Sequence, residues 1–237
     1  ANFVKTNIRV ILNSFGHDCI QSNYVNIFSY TFNYCLIYCF KSVLSHHSSV
    51  LSALSCVLPP TCQPLIQQLQ DISSVSVAVV NLEYEGSILP VKGFGHLVPS
   101  SEDKGLLGVV YDSVPFPQHN RPSGQTTRLT VMMGGAWFQE AFGAPETVTT
   151  ECLLARATES VSCHLGVTSA PSWTQVALHK DCIPQYRLGH FRTVESMRSF
   201  IKKKNLSLSL IGSSYDGVSV NDVIFSGRTA VDDLFGV

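Results

Sequence analysis

The stretch Leu206-Ser-Leu-Ser-Leu-Ile-Gly212-Ser-Ser-Tyr-Asp-Gly217-Val-Ser-Val-Asn-Asp-Val-Ile-Phe-Ser-Gly227-Arg228 changes its hydrophobic period partway along, and that change decides the fold. Leu206, Leu208 and Leu210 alternate with serines, the two-residue period of a half-buried strand. Gly212 and Gly217 then bound a short polar turn. From Val218 onward Val220, Val223, Ile224 and Val231 recur at helical spacing. The stretch reads as strand, glycine-bounded turn, helix. The first amides of such a helix lack intrahelical partners and carry the positive end of its dipole, so they draw an anion or the polar edge of a cofactor. Gly217 has no Cβ to keep a ligand away. The same pattern also makes an ordinary strand-to-helix corner, and physics alone leaves both readings open.

Upstream, Val75, Val77 and Val79, with Ala78 and Val80 between them, predict a strand apolar on both faces that ends at Glu85-Gly86. Gly93 to Val98 predicts a turn and a short strand, and Gly105 to Tyr111 a further apolar strand. Pro122-Ser-Gly-Gln leads, as a hairpin-like connection, into a strand over Arg128 to Met133. Together these predict an antiparallel meander. Pro145-Glu146 is expected to open a helix whose face carries Leu154, Ala157, Val161 and Leu165, closed by Gly166. Gln175 to His179 reads as a strand, and Thr193 as the cap of a helix that aligns Val194, Met197 and Ile201. Before all of these, Ser48 to Gln70 turns helical twice, broken at Pro59-Pro60. The fold class is α/β (α+β).

Of 237 residues, 45% are hydrophobic and 14% charged, with a net charge of −1. No basic patch argues for a nucleic-acid partner; Lys202-Lys203-Lys204 reads as the solvated end of a helix. The eight cysteines include no C-x-x-C pair, so neither a metal site nor a disulfide framework is expected. Residues 1–47 differ from the rest: rich in Asn, Tyr, Phe and Ile, with Lys5, Arg9, Asp18 and Lys41 as their charges. The apolar window Tyr24 to Leu44 is interrupted by Asn26, Ser29, Asn33 and Ser42. The expectation is a segment outside the fold, from misassigned or non-coding sequence, with a membrane anchor as the alternative. A chain that opens at Ala1, with no Gly-x-Gly-x-x-Gly anywhere, is expected to be a fragment.

Acid–base and nucleophilic candidates are poor: no Gly-x-Ser-x-Gly, His-Glu-x-x-His or P-loop occurs. His96, His179 and His190 read as partly buried structural rings, and Asp112 and Asp222 as caps or turn formers. No catalytic side chain is assigned. That lack suits a reaction whose reactive centre belongs to a cofactor.

The run Gly-x-Ser-Tyr-Asp-Gly-Val-x-Val-Asn-Asp, followed by Ser-Gly-Arg, resembles the C-terminal FAD-binding segment of the animal-type protoporphyrinogen oxidase family. Four more runs match in the family's order: Gly93-Phe-Gly-His-Leu-Val-Pro-Ser-Ser-Glu-Asp103, Leu107-Gly-Val-Val-Tyr-Asp-Ser113, Thr130-Val-Met-Met-Gly-Gly135 and Cys182-Ile-Pro-Gln-Tyr-x-Leu-Gly-His190. The resemblance runs from about Ser48 to the end. It implies an FAD-dependent, oxygen-dependent oxidation of protoporphyrinogen IX on the outward face of the mitochondrial inner membrane. It also implies peripheral membrane association through parts mostly absent here, and a possible homodimer. The resemblance implies that residues 48–72 end an FAD-domain segment, 73–205 form a substrate-binding domain, and 206–237 are the last FAD-binding segment. Substrate contacts carried over are Phe94, Gly95, Leu97, Val110, Met132 and Ile183, with Phe94 on a pyrrole face and Leu97 and Ile183 sandwiching the macrocycle. FAD contacts carried over are the amides of Val218, Ser219 and Val220, the turn glycines Gly212 and Gly217, and more weakly Leu178 and His179. The family's arginine for the substrate carboxylate has no match in this chain. Other readings are a flavin amine oxidase, which needs an aromatic cage or a flavin-linking cysteine, and an inactive or interaction-only product.

Overall fold

The apolar run from Val75 to Tyr84 becomes one of the two longest strands of a five-stranded sheet. A computed structural model describes residues 36–39, 60–121, 125–206 and 208–235. In chain order its elements are β1 (Leu36–Cys39), α1 (Gln63–Gln70), β2 (Ser74–Glu85), β3 (Gly95–Leu97), β4 (Leu106–Val110), β5 (Thr126–Gly135), α2 (Phe138–Phe142), α3 (Thr150–Leu165), β6 (Trp173–Pro184), α4 (His190–Lys203), β7 (Leu208–Ile211) and α5 (Val220–Phe235). They divide into two compact units, one running from Val75 to Asp181, the other holding the described residues up to Ser74 and from Cys182 onward. The helix expected over residues 48–58 and the turn at 122–124 lie outside the described residues, as does most of the leading segment.

In the first unit the strand order is β3-β4-β5-β2-β6. β3, β4 and β5 form a meander as expected, but β2, expected as its first strand, pairs antiparallel with β5 instead of β3, from Ser76↔Gly135 to Glu85↔Thr126. Because side chains alternate across a strand, Ala78, Val80, Leu82 and Tyr84 of β2 share one face with Leu129, Val131 and Met133 of β5. That face packs on Leu153, Ala157, Val161 and Leu165 of α3 and on Phe138 of α2. Burial of each Val, Leu, Met or Phe side chain among these contributes roughly 1.5–3 kcal/mol. Gly134 is where α2 meets the sheet: a Cβ there would stand 2.2 Å from the Phe138 ring.

Helix α3 starts later than its sequence suggested. The Pro145-Glu146 turn precedes it, and Thr149, in extended conformation, is the N-cap whose hydroxyl accepts the Cys152 amide at 3.2 Å. Gly166 closes the helix in the left-handed conformation (φ 70°), as expected.

The other unit buries Leu65, Leu69 and Ile72 with Val194, Met197 and Ile201 of α4 and Leu208, Leu210 and Tyr215. Within this unit α4 therefore packs with the C-terminal segment. Thr193 is not the cap of α4: the helix starts at His190 after Gly189, whose carbonyl accepts the Thr193 amide. β7 pairs in parallel with β1, Leu36↔Leu208 through Cys39↔Ile211. These four residues are the part of residues 1–47 that the structure describes. α5 begins at Val220, two residues beyond the expected start, and Val220, Ile224 and Val231 are exposed rather than packed. Among the described residues no helix is long and apolar enough to cross a membrane.

Candidate functional site

Each unit brings together part of the expected site. In the Val75–Asp181 unit the register Leu97↔Gly108↔Met132↔Val79 makes one row across β3, β4, β5 and β2, and Gly95↔Val110↔Thr130↔Asn81 makes the next. Both rows lie on the face opposite α3. Gly95, Leu97, Val110 and Met132 thus share one sheet face. Leu97 is 82% exposed and Phe94, just before β3, is 67% exposed. Glycine is needed at both crossing points of β3 and β4, since a Cβ on Gly95 would lie 2.4 Å from the Val109 carbonyl and one on Gly108 2.5 Å from that of His96. His96 itself points to the core side. Its Nδ1 bonds the Tyr111 hydroxyl at 2.8 Å, its ring stacks on His164, and burial together with the His164 charge lowers its pKa.

The polar members of this face were not assigned from sequence. Thr130 Oγ1 stands 2.8 Å from the side-chain oxygen position of Asn81 and 2.7 Å from Asp112 Oδ2. A hydroxyl has one proton, so Thr130 donates to the carboxylate, the stronger acceptor, and accepts from the Asn81 NH2 group. Arg128, on the same face, directs its guanidinium to the Asn120 side-chain oxygen and the carbonyls of Asp112 and Phe116. It holds the β4–β5 connection and leaves the Asp112 carboxylate alone. The signal was present: Asn81 interrupts an apolar strand, and Thr130 lies two residues from Met132.

In the other unit the turn between β7 and α5 is built by three side chains. The Tyr186 hydroxyl donates to the Ser213 carbonyl (2.7 Å) and accepts the Gly217 amide (2.8 Å), bridging the two ends of the turn. Its ring lies on His190, centroids 3.9 Å apart, and burial raises its pKa. Arg198 grips Asp216 with both guanidinium nitrogens, one at 2.9 Å. Asp222 closes a capping box: it accepts the Ser219 amide (3.2 Å) and hydroxyl (2.7 Å), while the Ser219 hydroxyl accepts the Asp222 amide (3.1 Å). The Ser219 amide, expected to face a cofactor, is therefore already bonded. Val218 and Val220 flank it with exposed side chains, 56% and 70%. Gly212 has φ 106°, which a side-chain-bearing residue rarely adopts, and a Cβ on Gly217 would meet the Asp222 carboxylate at 2.4 Å.

These features can be weighed against a flavin. Among the described residues the buried hydroxyls of Ser213 and Ser214 have no hydrogen-bond partner, so the turn offers polar groups that a ligand can satisfy. A carboxylate already sits on the helix N-terminus, which disfavours a phosphate and suits the uncharged edge of a ring. The turn fits a flavin ring. A groove of about 720 Å³ nearby is lined by Arg198, Lys202, Asp216, Asp222, Phe225 and Asp233, but by none of Gly212, Gly217, Val218, Ser219 or Val220, and its mixed charges do not suit that ring. Of the remaining expected residues, Ile183 is 39% exposed and belongs to this unit, His179 is exposed on β6, and the Leu178 side chain packs against the core of the first unit. Among the described residues no group of three or more His, Cys, Asp or Glu is placed to hold a metal.

The family described as flavin containing amine oxidoreductase matches residues 43–235. Proteins named protoporphyrinogen oxidase from Macaca fascicularis and Homo sapiens are each 51% identical over 186 residues, which is 78% of this chain and 39% of the relative. The chain thus spans well under half the length of these relatives. A mitochondrial protoporphyrinogen oxidase from Nicotiana tabacum is 30% identical over 168 residues, 68% of this chain and 31% of the relative. Among solved structures, a putative protoporphyrinogen oxidase from Exiguobacterium superposes with a TM-score of 0.64 at 19% identity, covering 84% of this chain and 40% of that one. That likeness concerns the fold.

Proposed function

Since the chain belongs to the flavin containing amine oxidoreductase family, we propose that it supplies the substrate sheet and the flavin-contacting turn of an oxygen-dependent protoporphyrinogen oxidase. The observation that carries this reading is 51% identity over 186 residues to proteins of that name. The open sheet face supports it, because a flat macrocycle needs an apolar surface held by a rigid scaffold. FAD, when bound, supplies the acceptor for the hydrogens removed from the substrate. The chain's own part is to bind, orient and exclude water.

Phe94 presents its ring to one pyrrole, Leu97 closes on the macrocycle, and Val110 and Met132 form its floor beside Gly95. The amides of Val218 and Val220, with Gly212 and Gly217 shaping the turn, meet the flavin edge; Ser219 serves as the cap that aims them. No side chain is needed to move a proton at the reacting carbon. The place of action is the mitochondrion, in line with the name of the tobacco relative, on the outward side of the inner membrane, with oxygen as the final acceptor and a second copy as a partner. Titrating the 237-residue chain with protoporphyrin IX, the stable product, tests the substrate side. A saturable Soret shift at one equivalent, weakened by Phe94→Ala, is expected; no shift in the wild-type chain contradicts the reading.

A further inference from the structure

The substrate face carries a carboxylate that the fold does not use up. Asp112 accepts one hydrogen bond from Thr130, and no ion pair to it forms among the described residues. The nearest cation in the register, Arg128, is occupied by Asn120 and two carbonyls. With the Asn81 NH2 turned to Thr130, the Asn81 carbonyl faces away from that hydroxyl and is a second acceptor. Both groups are only partly buried, and both flank Thr130, one residue pair along from Met132 and in line with Val110. The face therefore joins an apolar strip, Leu97, Val110, Met132 and Val79, to a polar end that offers two acceptors.

Resting on the function proposed above, we propose that Asp112 and Asn81 form an acceptor pair for the pyrrole N–H groups of the macrocycle that lies on this face. The chemistry matches. A cyclic tetrapyrrole of this kind is apolar over its faces and carries its carboxylates at one edge, and its nitrogens carry N–H donors that lose water when it is covered. A carboxylate already fixed by Thr130 is pre-organised to receive them, and an unpaired negative charge rejects ligands that bring only acceptors. Asp112 and Asn81 thereby select for the N–H-bearing ring system, and Thr130 is the residue that positions both.

The test uses the 237-residue chain, protoporphyrin IX and N-methylprotoporphyrin, which lacks one ring donor. Soret titrations of wild type, Asp112→Leu and Asp112→Asn give dissociation constants for both probes. Wild type is expected to bind the N-methyl probe several-fold more weakly. Asp112→Leu is expected to lose about tenfold for protoporphyrin, the low end for a hydrogen bond to a charged group, and to lose most of its discrimination between probes. In Asp112→Leu the Thr130 proton can turn to Asn81, so no donor is stranded; Asp112→Asn is the variant of nearly unchanged shape. A merely structural Asp112 leaves the ratio between the probes unmoved. Equal ratios in wild type and variants overturn the acceptor pair and leave the proposed function standing. A wild-type chain that binds neither probe overturns both.

Discussion

Asp103 shows how much one side chain can fix. Its carboxylate accepts the amides of Gly105 (2.8 Å) and Leu106 (3.1 Å), starting β4, and pairs with Arg156 of α3. Burial alone would raise its pKa, but the Arg156 and amide bonds outweigh that and hold it below the ordinary carboxylate value. A depressed folded-state pKa gives stability that is present above the unfolded value, about 4, and is lost as pH falls through the lower folded value. Asp103→Ala is expected to cost about 2 kcal/mol at pH 7 in urea unfolding, with the gap to wild type closing below about pH 4. Gly217 illustrates a subtler point. In sequence it read as room for a ligand; in the structure the atom that a Cβ would strike belongs to Asp222, the helix cap. Gly217→Val must therefore disturb the start of α5 whether or not a flavin is present. The expected signature is coupling: Gly217→Ala destabilises wild type by more than it does the Asp222→Ala variant, as measured by a double-mutant cycle. Full additivity would mean the two positions do not meet.

At the scale of elements, the two-residue and helical periods located most of the strands and helices, because those periods report which face is buried. They erred where a cap decides the boundary. Thr149 starts α3 and Ser219 starts α5, each through a hydrogen bond that hydrophobic spacing does not encode. The site was legible to a similar depth. The motif residues Gly95, Leu97, Val110 and Met132 proved to share a face because they fall on matching rows of one meander. Asn81 and Thr130 were missed because their partnership spans strands 49 residues apart in sequence. Tyr186 was quoted in a motif but given no role, since its bonds reach Ser213 and Gly217 across the whole of α4. Tyr186→Phe strands the Gly217 amide and the Ser213 carbonyl, and is expected to cost about 1–3 kcal/mol. Hydrogen exchange at Gly217 should speed up in that variant while amides in the middle of α4 keep their protection; unchanged exchange at Gly217 would show the bridge to be idle.

For the whole molecule, one unit carries an apolar sheet face with a polar end, and the other a braced turn with hydroxyls unsatisfied among the described residues. A flavin needs more than that turn, whose helix terminus is already capped by Asp222. The purified chain is accordingly expected to be colourless, and a stoichiometric flavin spectrum would contradict that. The central claim is that these surfaces serve protoporphyrinogen oxidation, and a chimera measures it most directly. The 186 matched residues replace their counterparts in the human relative, and protoporphyrin fluorescence is followed after addition of protoporphyrinogen. The account predicts flavin-dependent oxidation in the chimera, with Phe94→Ala raising KM while flavin occupancy stays full. A folded, flavin-loaded chimera that leaves protoporphyrinogen unoxidised above the buffer rate would contradict it.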